Sequence, residues 1–427
     1  MLGRTIRANV AFLVAAVLVL RLGVLFAQSQ TQSVRWSGQI RMRSEVDGRD
    51  FNQETPPNTF TLLRSRLGAE IVPVENVKVF LQVQDSRVFG EEKTASGSFS
   101  TLAGTSNLDL HQGYVEINEF LAEPLSVKIG RQELKYGNER IIGAVGWHNV
   151  GRSFDGVLLR LGLKAALIDF FAMKTGETAI YPPVATPTST AHVRNAGSEL
   201  FGIYGTFESL IADASALYLL FEWNRNQTVA GLNDLERFTI GSYAKGKIDL
   251  VDFVADFAYQ GGKRQGTDVS AYMLTGAVGY SFSEVPLRRL SVGYELLSGT
   301  SPTNSEYQSF DPAFHTGHKF YGFMDYFISI PDNTETRGLS DLVLHAFFKV
   351  SEPIDFKAWF HNIRQDETST GKKALGQEID LIVSYSYTDR VVFSFGASTF
   401  LPASQMRRRF RGSDAAFWSF LSAEVSF

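Results

Sequence analysis

No cysteine occurs anywhere in the 427 residues. Disulfide frameworks, thiolate metal sites, c-type haem attachment and lipid attachment through an N-terminal cysteine are all excluded by that one absence. Long apolar runs are missing too, outside the first 27 residues. No later stretch approaches the roughly 18 uninterrupted apolar residues that a membrane helix requires, so helical spanning is excluded for the remainder. A concentrated basic field is likewise lacking. The formal net charge is −4, and without Arg4, Arg7 and Arg21 the rest carries about −7. Nucleic-acid binders display clustered positive charge, so nucleic acid is not an expected partner. The single basic tract, RRRFR at 407–411, fits an extracellular or rim loop better than a DNA contact.

The chain opens with MLGRTIRANVAFLVAAVLVLRLGVLFA. Arg4 and Arg7 precede a largely apolar segment, Ala8–Leu20, and Arg21 interrupts it. A basic start followed by a short apolar segment has the layout of a cleaved secretory signal, which predicts a signal at 1–27 and a mature chain at 28–427. Leu25, where a small residue is usual, leaves the cut itself unfixed.

What is abundant is aromatic residues and glycine, with Phe 34, Tyr 15 and Gly 37, and short apolar alternations recurring from end to end. In AAFWSFLSAEVSF, Phe417, Leu421, Ala423, Val425 and Phe427 fall on one face with Ser419, while Ser422, Glu424 and Ser426 fall on the other. Period two over some ten residues marks a strand with one dry and one wet face. VKVFLQVQD, VDFVADFAYQ, IDFKAWFHN and QEIDLIVSYSY alternate in the same way.

Carried along the chain, the pattern predicts eighteen strands, near 34–46, 59–72, 76–86, 109–120, 125–134, 152–162, 164–174, 197–208, 212–224, 235–246, 248–261, 268–282, 287–298, 338–350, 353–364, 375–388, 390–400 and 415–427. Short joins such as PVEN (73–76), LAEP (121–124), SLIAD (209–213), SEVPLR (283–288) and SEP (351–353) alternate with long ones at 87–108, 135–151, 175–196, 225–234, 299–337, 365–374 and 401–414. That alternation describes an all-β, transmembrane, antiparallel up-and-down β-barrel, with tight periplasmic turns and long extracellular loops. A soluble sandwich or propeller would bury its apolar faces in a core and has no use for long loops at one end only. In lipid the strands have to close, because each unpaired backbone group costs several kcal/mol. About eighteen strands leave a water-wide lumen, so function resides in its lining and in loops folded into it, with 299–337 the candidate for such a loop.

The wet faces give an uneven lining. Arg35, Arg41, Arg43, Arg64, Arg66, Lys78, Lys128, Arg160, Arg289, Lys349 and Lys357 supply cations; Glu70, Glu116, Asp169, Asp252, Asp256, Glu295, Glu378 and Asp380 supply acids. Arginines at a constriction concentrate anions and reject cations. The competing reading is that these charges pair across neighbouring strands and simply fill a polar interior.

GRQELKYGNERIIG, residues 130–143, packs three cations, two acids and three glycines into the end of the fifth predicted strand and the long connection that follows. Arg131, Arg140, Arg152 and Asp155 gather at the same barrel end, as structural staples or as solute contacts. The block VKIGRQELKYGNERIIG, continuing through WHNVGRSFDGVLL, resembles the signature region of the alginate export family of outer-membrane proteins. FHTGHKFYGFMDYF at 314–327 resembles its second recurring block, and LLRSRLGAE at 62–70 is a third match. The resemblance implies an eighteen-stranded barrel with an electropositive region that passes an anionic uronate polymer, and it carries Arg66, Arg131, Arg140, Arg152 and Asp155 over as lining residues. Asp252, Asp256, Glu378 and Asp380 argue against a uniformly basic conduit.

The expectation is a passive outer-membrane channel for an anionic polysaccharide or oligosaccharide, guided by Arg41, Arg43, Arg64, Arg66, Lys128, Arg131, Arg140, Arg152, Asp155 and Lys357. The alternatives are a porin for small anionic or neutral solutes, or a non-conducting scaffold for a surface complex. Expected partners are the solute, outer-membrane lipid, the barrel-assembly machinery and, as an option, a periplasmic protein; no cofactor is expected. His315, His318 and Asp325 lack a third convincing histidine for a metal, and His318 is expected to seat its loop. Ser153, Asp155 and His148 lie close in sequence, but NVGRSFDG lacks the G-x-S-x-G elbow, so no enzyme activity is expected.

Overall fold

The computed structural model describes residues 33–90, 108–176, 197–208, 213–224, 234–283 and 286–427. The signal expected at 1–27 lies outside the described residues, as do most of the connections at 87–108, 175–196 and 225–234 and parts of the joins at 209–213 and 283–288. Eighteen strands are formed. The first six are β1 (Ser33–Gly48), β2 (Asn58–Val74), β3 (Val77–Val88), β4 (Leu108–Ile117), β5 (Leu125–Gln132) and β6 (Phe154–Leu163). The next six are β7 (Ala166–Gly176), β8 (Ser198–Phe207), β9 (Ala214–Asn224), β10 (Leu235–Ile248), β11 (Val251–Arg264) and β12 (Thr267–Ser281). The last six are β13 (Leu287–Leu297), β14 (Leu339–Ser351), β15 (Ile354–Arg364), β16 (Ala374–Thr388), β17 (Val391–Pro402) and β18 (Ala416–Ser426). Their bounds differ from the periodicity-based ones by no more than three residues.

Every strand pairs antiparallel with its chain neighbours, and β1 also pairs with β18, so the sheet closes without an edge. Closure satisfies the backbone inside a bilayer, where no water could. The seam is completed by Gly38 and Phe427, which exchange both backbone hydrogen bonds at 2.9 and 3.0 Å. Gly38 is needed there because a Cβ would sit 2.1 Å from the Phe427 ring.

The alternation reads outward as expected. Leu81, Val83, Phe257, Tyr259, Ile379, Leu381, Phe417 and Leu421 are exposed on the outer face. No helix of the described residues is long and apolar enough to cross a membrane.

The inner face departs from the simple wet pattern. Phe171, Met173, Leu200, Tyr204, Tyr218 and Leu220 on β7–β9, and Trp418 and Phe420 on β18, point inward and are buried. They are covered by the β5–β6 connection (133–153) and the β13–β14 connection (298–338), which turn into the barrel. Tyr136 of the first stacks on Tyr204 with ring centres 4.3 Å apart, and Tyr204 stacks on Tyr218 at 5.6 Å. Tyr326 of the second stacks on Phe51, and its hydroxyl donates to the Arg49 carbonyl at 2.7 Å. The two connections are joined to each other: Ile142 and Phe314 form a parallel bridge, and Gly143 N donates to Phe314 O at 2.8 Å. The result is an apolar core inside a barrel whose lumen would otherwise be wet.

Candidate functional site

Four arginines of the first two strands grip the inward connection. Arg41 and Arg64 face each other in register, and each donates to Gly146 O at 2.9 Å. Arg41 also donates to Trp147 O at 2.8 Å, Arg64 to His148 O at 2.9 Å, and Arg43 to Trp147 O at 2.8 Å. Arg66 donates to Gln84 at 2.6 Å and to Val150 O at 3.2 Å. Arg43 lies over the Trp147 ring at 3.8 Å and pairs with Glu45 at 2.7 Å. Arg41, Arg43 and Arg64 are buried. Neighbouring guanidiniums in a confined space repel each other unless carbonyl dipoles and carboxylates offset the charge. The run 146–150 supplies those dipoles.

Arg140 and Arg152 sit on the connection itself. Arg140 makes a bidentate pair with Glu295 of β13 at 2.7 and 2.8 Å. Burial opposes its charge, yet Glu295 and the Tyr321 hydroxyl more than offset this, and the pKa of Arg140 is raised. Arg152 donates to the carbonyls of Phe314, His315 and Gly143, which ties the two connections together. Burial lowers its pKa.

Arg131 and Asp155 are placed differently from the sequence-based expectation. They pair at 2.7 Å across β5 and β6. Asp155 shares a face with Val157 and Arg131 with Ile129, both apolar and exposed outward, so the pair lies on the barrel's outer surface and not in the lumen. Lys128 and Lys357 do face inward. Lys128 lies 3.7 Å from Glu116 and 4.7 Å above the Tyr114 ring, and Lys357 sits 5.9 Å from the Phe347 ring.

Most inward acids have partners. Asp169 takes Arg160 at 2.7 Å and the Tyr136 hydroxyl at 2.9 Å; Asp252 takes Arg289 at 2.6 Å; Tyr218 donates to Asp256 at 3.3 Å. Glu378 accepts Met324 N at 2.8 Å and so anchors the β13–β14 connection. Asp341 and His361 meet at 2.6 Å. His318 bonds Asp325 at 2.9 Å and stacks between Trp147 and Phe323, so it seats its loop; His315 is buried with neither ring nitrogen hydrogen-bonded. The sequence neighbours His148, Ser153 and Asp155 do not converge: His148 Nδ1 accepts Val150 N, Ser153 Oγ is buried without a partner, and Asp155 faces outward.

A polar recess of about 220 Å³ lies between the wall of β11–β15 and residues 319–323 of the inward connection. Its lining includes Arg289, Lys319, Phe323, His345 and Trp359. His345 stacks on Trp359 with ring centres 4.5 Å apart and lies 3.3 Å from Arg289. Lys319 Nζ donates to Asn138 O at 2.9 Å; burial lowers its pKa, with Arg140 and Lys245 adding repulsion against the pull of Glu139. Lys245 and Lys247 lie within electrostatic reach of Asp252, and Lys357 of His345. Lys245, Lys247 and Lys357 make no ion pair at contact distance among the described residues. Sequence reasoning passed over Lys245, Lys247, Lys319, His345 and Trp359. The lysines and His345 share the inward parity of Asp252 and Asp256 or of Lys349 and could have been found by strict alternation; the placement of Lys319 could not.

A closed eighteen-stranded barrel with an apolar outer belt and inward-turned long connections is an outer-membrane β-barrel of the Gram-negative type and resembles porins. The chain belongs to the alginate export family, whose model matches residues 31–414. It is thereby grouped with the outer-membrane transport barrels. The fold is shared with Pseudomonas aeruginosa OccK11 (OpdR) at a TM-score of 0.61 and 10% identity, covering 92% of this chain and 96% of that one. Acinetobacter baumannii OccAB4 matches at 0.61 and 12%, covering 94% and 100%, and Pseudomonas aeruginosa OpdK, solved with vanillate, at 0.57 and 9%, covering 92% and 98%. Identities this low bear on the fold alone. No curated protein matches the chain.

Proposed function

We propose that this barrel is a passive outer-membrane channel for small anionic solutes, acidic sugars among them. One observation carries the reading: the N-terminal arginines are engaged with the carbonyls of 146–150, while unpaired lysines gather at the opposite wall around Asp252 and His345. Cations facing water between low-dielectric walls raise the local anion concentration. A solute passes beside the two inward connections, which favours small molecules over a polymer strand.

Family membership supports a second reading, a conduit for an anionic polysaccharide. It gains weight from the neutral character of the acceptors that Arg41 and Arg64 hold. Were the connection to move aside, Arg41, Arg43, Arg64, Arg66, Arg140 and Arg152 would line the pore. Liposomes carrying the purified protein separate the two. Entry of glucuronate faster than glucose, with exclusion of a long uronate polymer, is expected of the small-anion channel. Passage of the polymer supports the conduit, and equal entry of glucuronate and glucose contradicts both.

A further inference from the structure

The recess beside the inward connection has a composition that plain electrostatic steering does not require. A pore that merely concentrates anions needs cations on a wet wall, yet here rings and cations are brought together. Trp359 of β15 stacks with His345 and makes a T-shaped contact with Phe323, ring centres 4.9 Å apart, and Arg289 and Lys319 stand around them. His345 Nε2 is buried without a hydrogen-bond partner, although its Nδ1 is engaged with Arg289. Buried polar atoms ordinarily find partners, so an unmet ring nitrogen beside a polar space marks a place where a ligand group can bond. The volume, about 220 Å³, falls below the roughly 300–1,000 Å³ of sites for drug-sized ligands, so it admits one ring and not a chain.

We propose that this recess is a binding subsite for a single six-membered ring bearing one carboxylate, whether an acidic monosaccharide or an aromatic acid. The carboxylate lies toward Lys319 and Arg289, whose guanidinium keeps Asp252 as its second partner, and the ring lies against Trp359 and Phe323. His345 Nε2 bonds a hydroxyl or the carboxylate rim. The subsite rests on the channel reading for its role in transport, and makes that transport saturable and selective for shape as well as charge.

The test is titration calorimetry on the full chain in detergent, with sodium glucuronate, benzoate, glucose and acetate as probes, alongside bilayer selectivity on the same preparation. Saturable binding of glucuronate, benzoate or both is expected, with glucose and acetate at least about tenfold weaker, that is about 1.4 kcal/mol. Lys319→Gln and Trp359→Phe, which keeps a ring, should each weaken binding by a similar factor. Glucuronate alone identifies a sugar site and benzoate alone an aromatic-acid site. No saturable binding, acetate equal to the ring acids, or variants equal to wild type overturns the subsite. An anion-selective barrel without binding leaves the channel reading standing. Binding in a barrel without anion selectivity keeps the site and removes its transport role.

Discussion

Arg41 and Arg64, on adjacent strands, donate to the same carbonyl oxygen, that of Gly146, at equal distances of 2.9 Å. Hydrogen bonds from charged donors contribute about 1.5–3 kcal/mol each, so the pair contributes several kcal/mol to holding 146–150 inside the barrel. The double substitution Arg41→Gln and Arg64→Gln is expected to undock this run, giving a larger and noisier single-channel conductance and new protease cleavage near Trp147. Unchanged conductance and cleavage would show that the carbonyls are held without them.

Arg140 and Glu295 are buried together. Removing one member of such a pair strands the other charge and costs about 3–5 kcal/mol, whereas removing both costs much less. Arg140→Met should lower the midpoint of thermal unfolding more than the Arg140→Met, Glu295→Met double variant. The reverse order would mean that the pair is not coupled.

His315, on the β13–β14 connection, has a pKa lowered to about 4 by burial, with Arg152 and Arg140 adding to the shift and Asp311 opposing it. Its ordinary value is 6.5, so the undocked loop binds the proton first. Docking is therefore fully favoured above pH 6.5, weakens as pH falls, and has lost on the order of 3 kcal/mol by pH 4. Open-channel noise should rise over that window in wild type and stay flat in His315→Gln. Noise that rises equally in both would assign the effect to other groups.

The Arg131 and Asp155 pair lies outside the lumen and is partly exposed. Neutralising both should leave ion selectivity where it was. A shift in reversal potential would place them back at the pore.

The strands were legible because a barrel wall in lipid enforces period two on its outer face, and Phe417, Leu421, Val425 and Phe427 obey it. The inner face was legible only where it meets water. Trp418 and Phe420 break the rule because the inward connections keep them dry, and no local pattern announces a loop that folds inside. Strict parity from Ile129 and Val157 places Arg131 and Asp155 on the lipid side; grouping them with the neighbouring loop charges hid this. Partner choice was not legible at all, since Arg140 meets Glu295 across 155 residues of chain.

The most direct measurement is the reversal potential across a salt gradient for wild type and for the Lys245→Gln, Lys247→Gln, Lys357→Gln triple variant. Anion selectivity in wild type that largely disappears in the triple variant is the expected result. Cation selectivity in wild type, or anion selectivity that survives the loss of all three lysines, would contradict it.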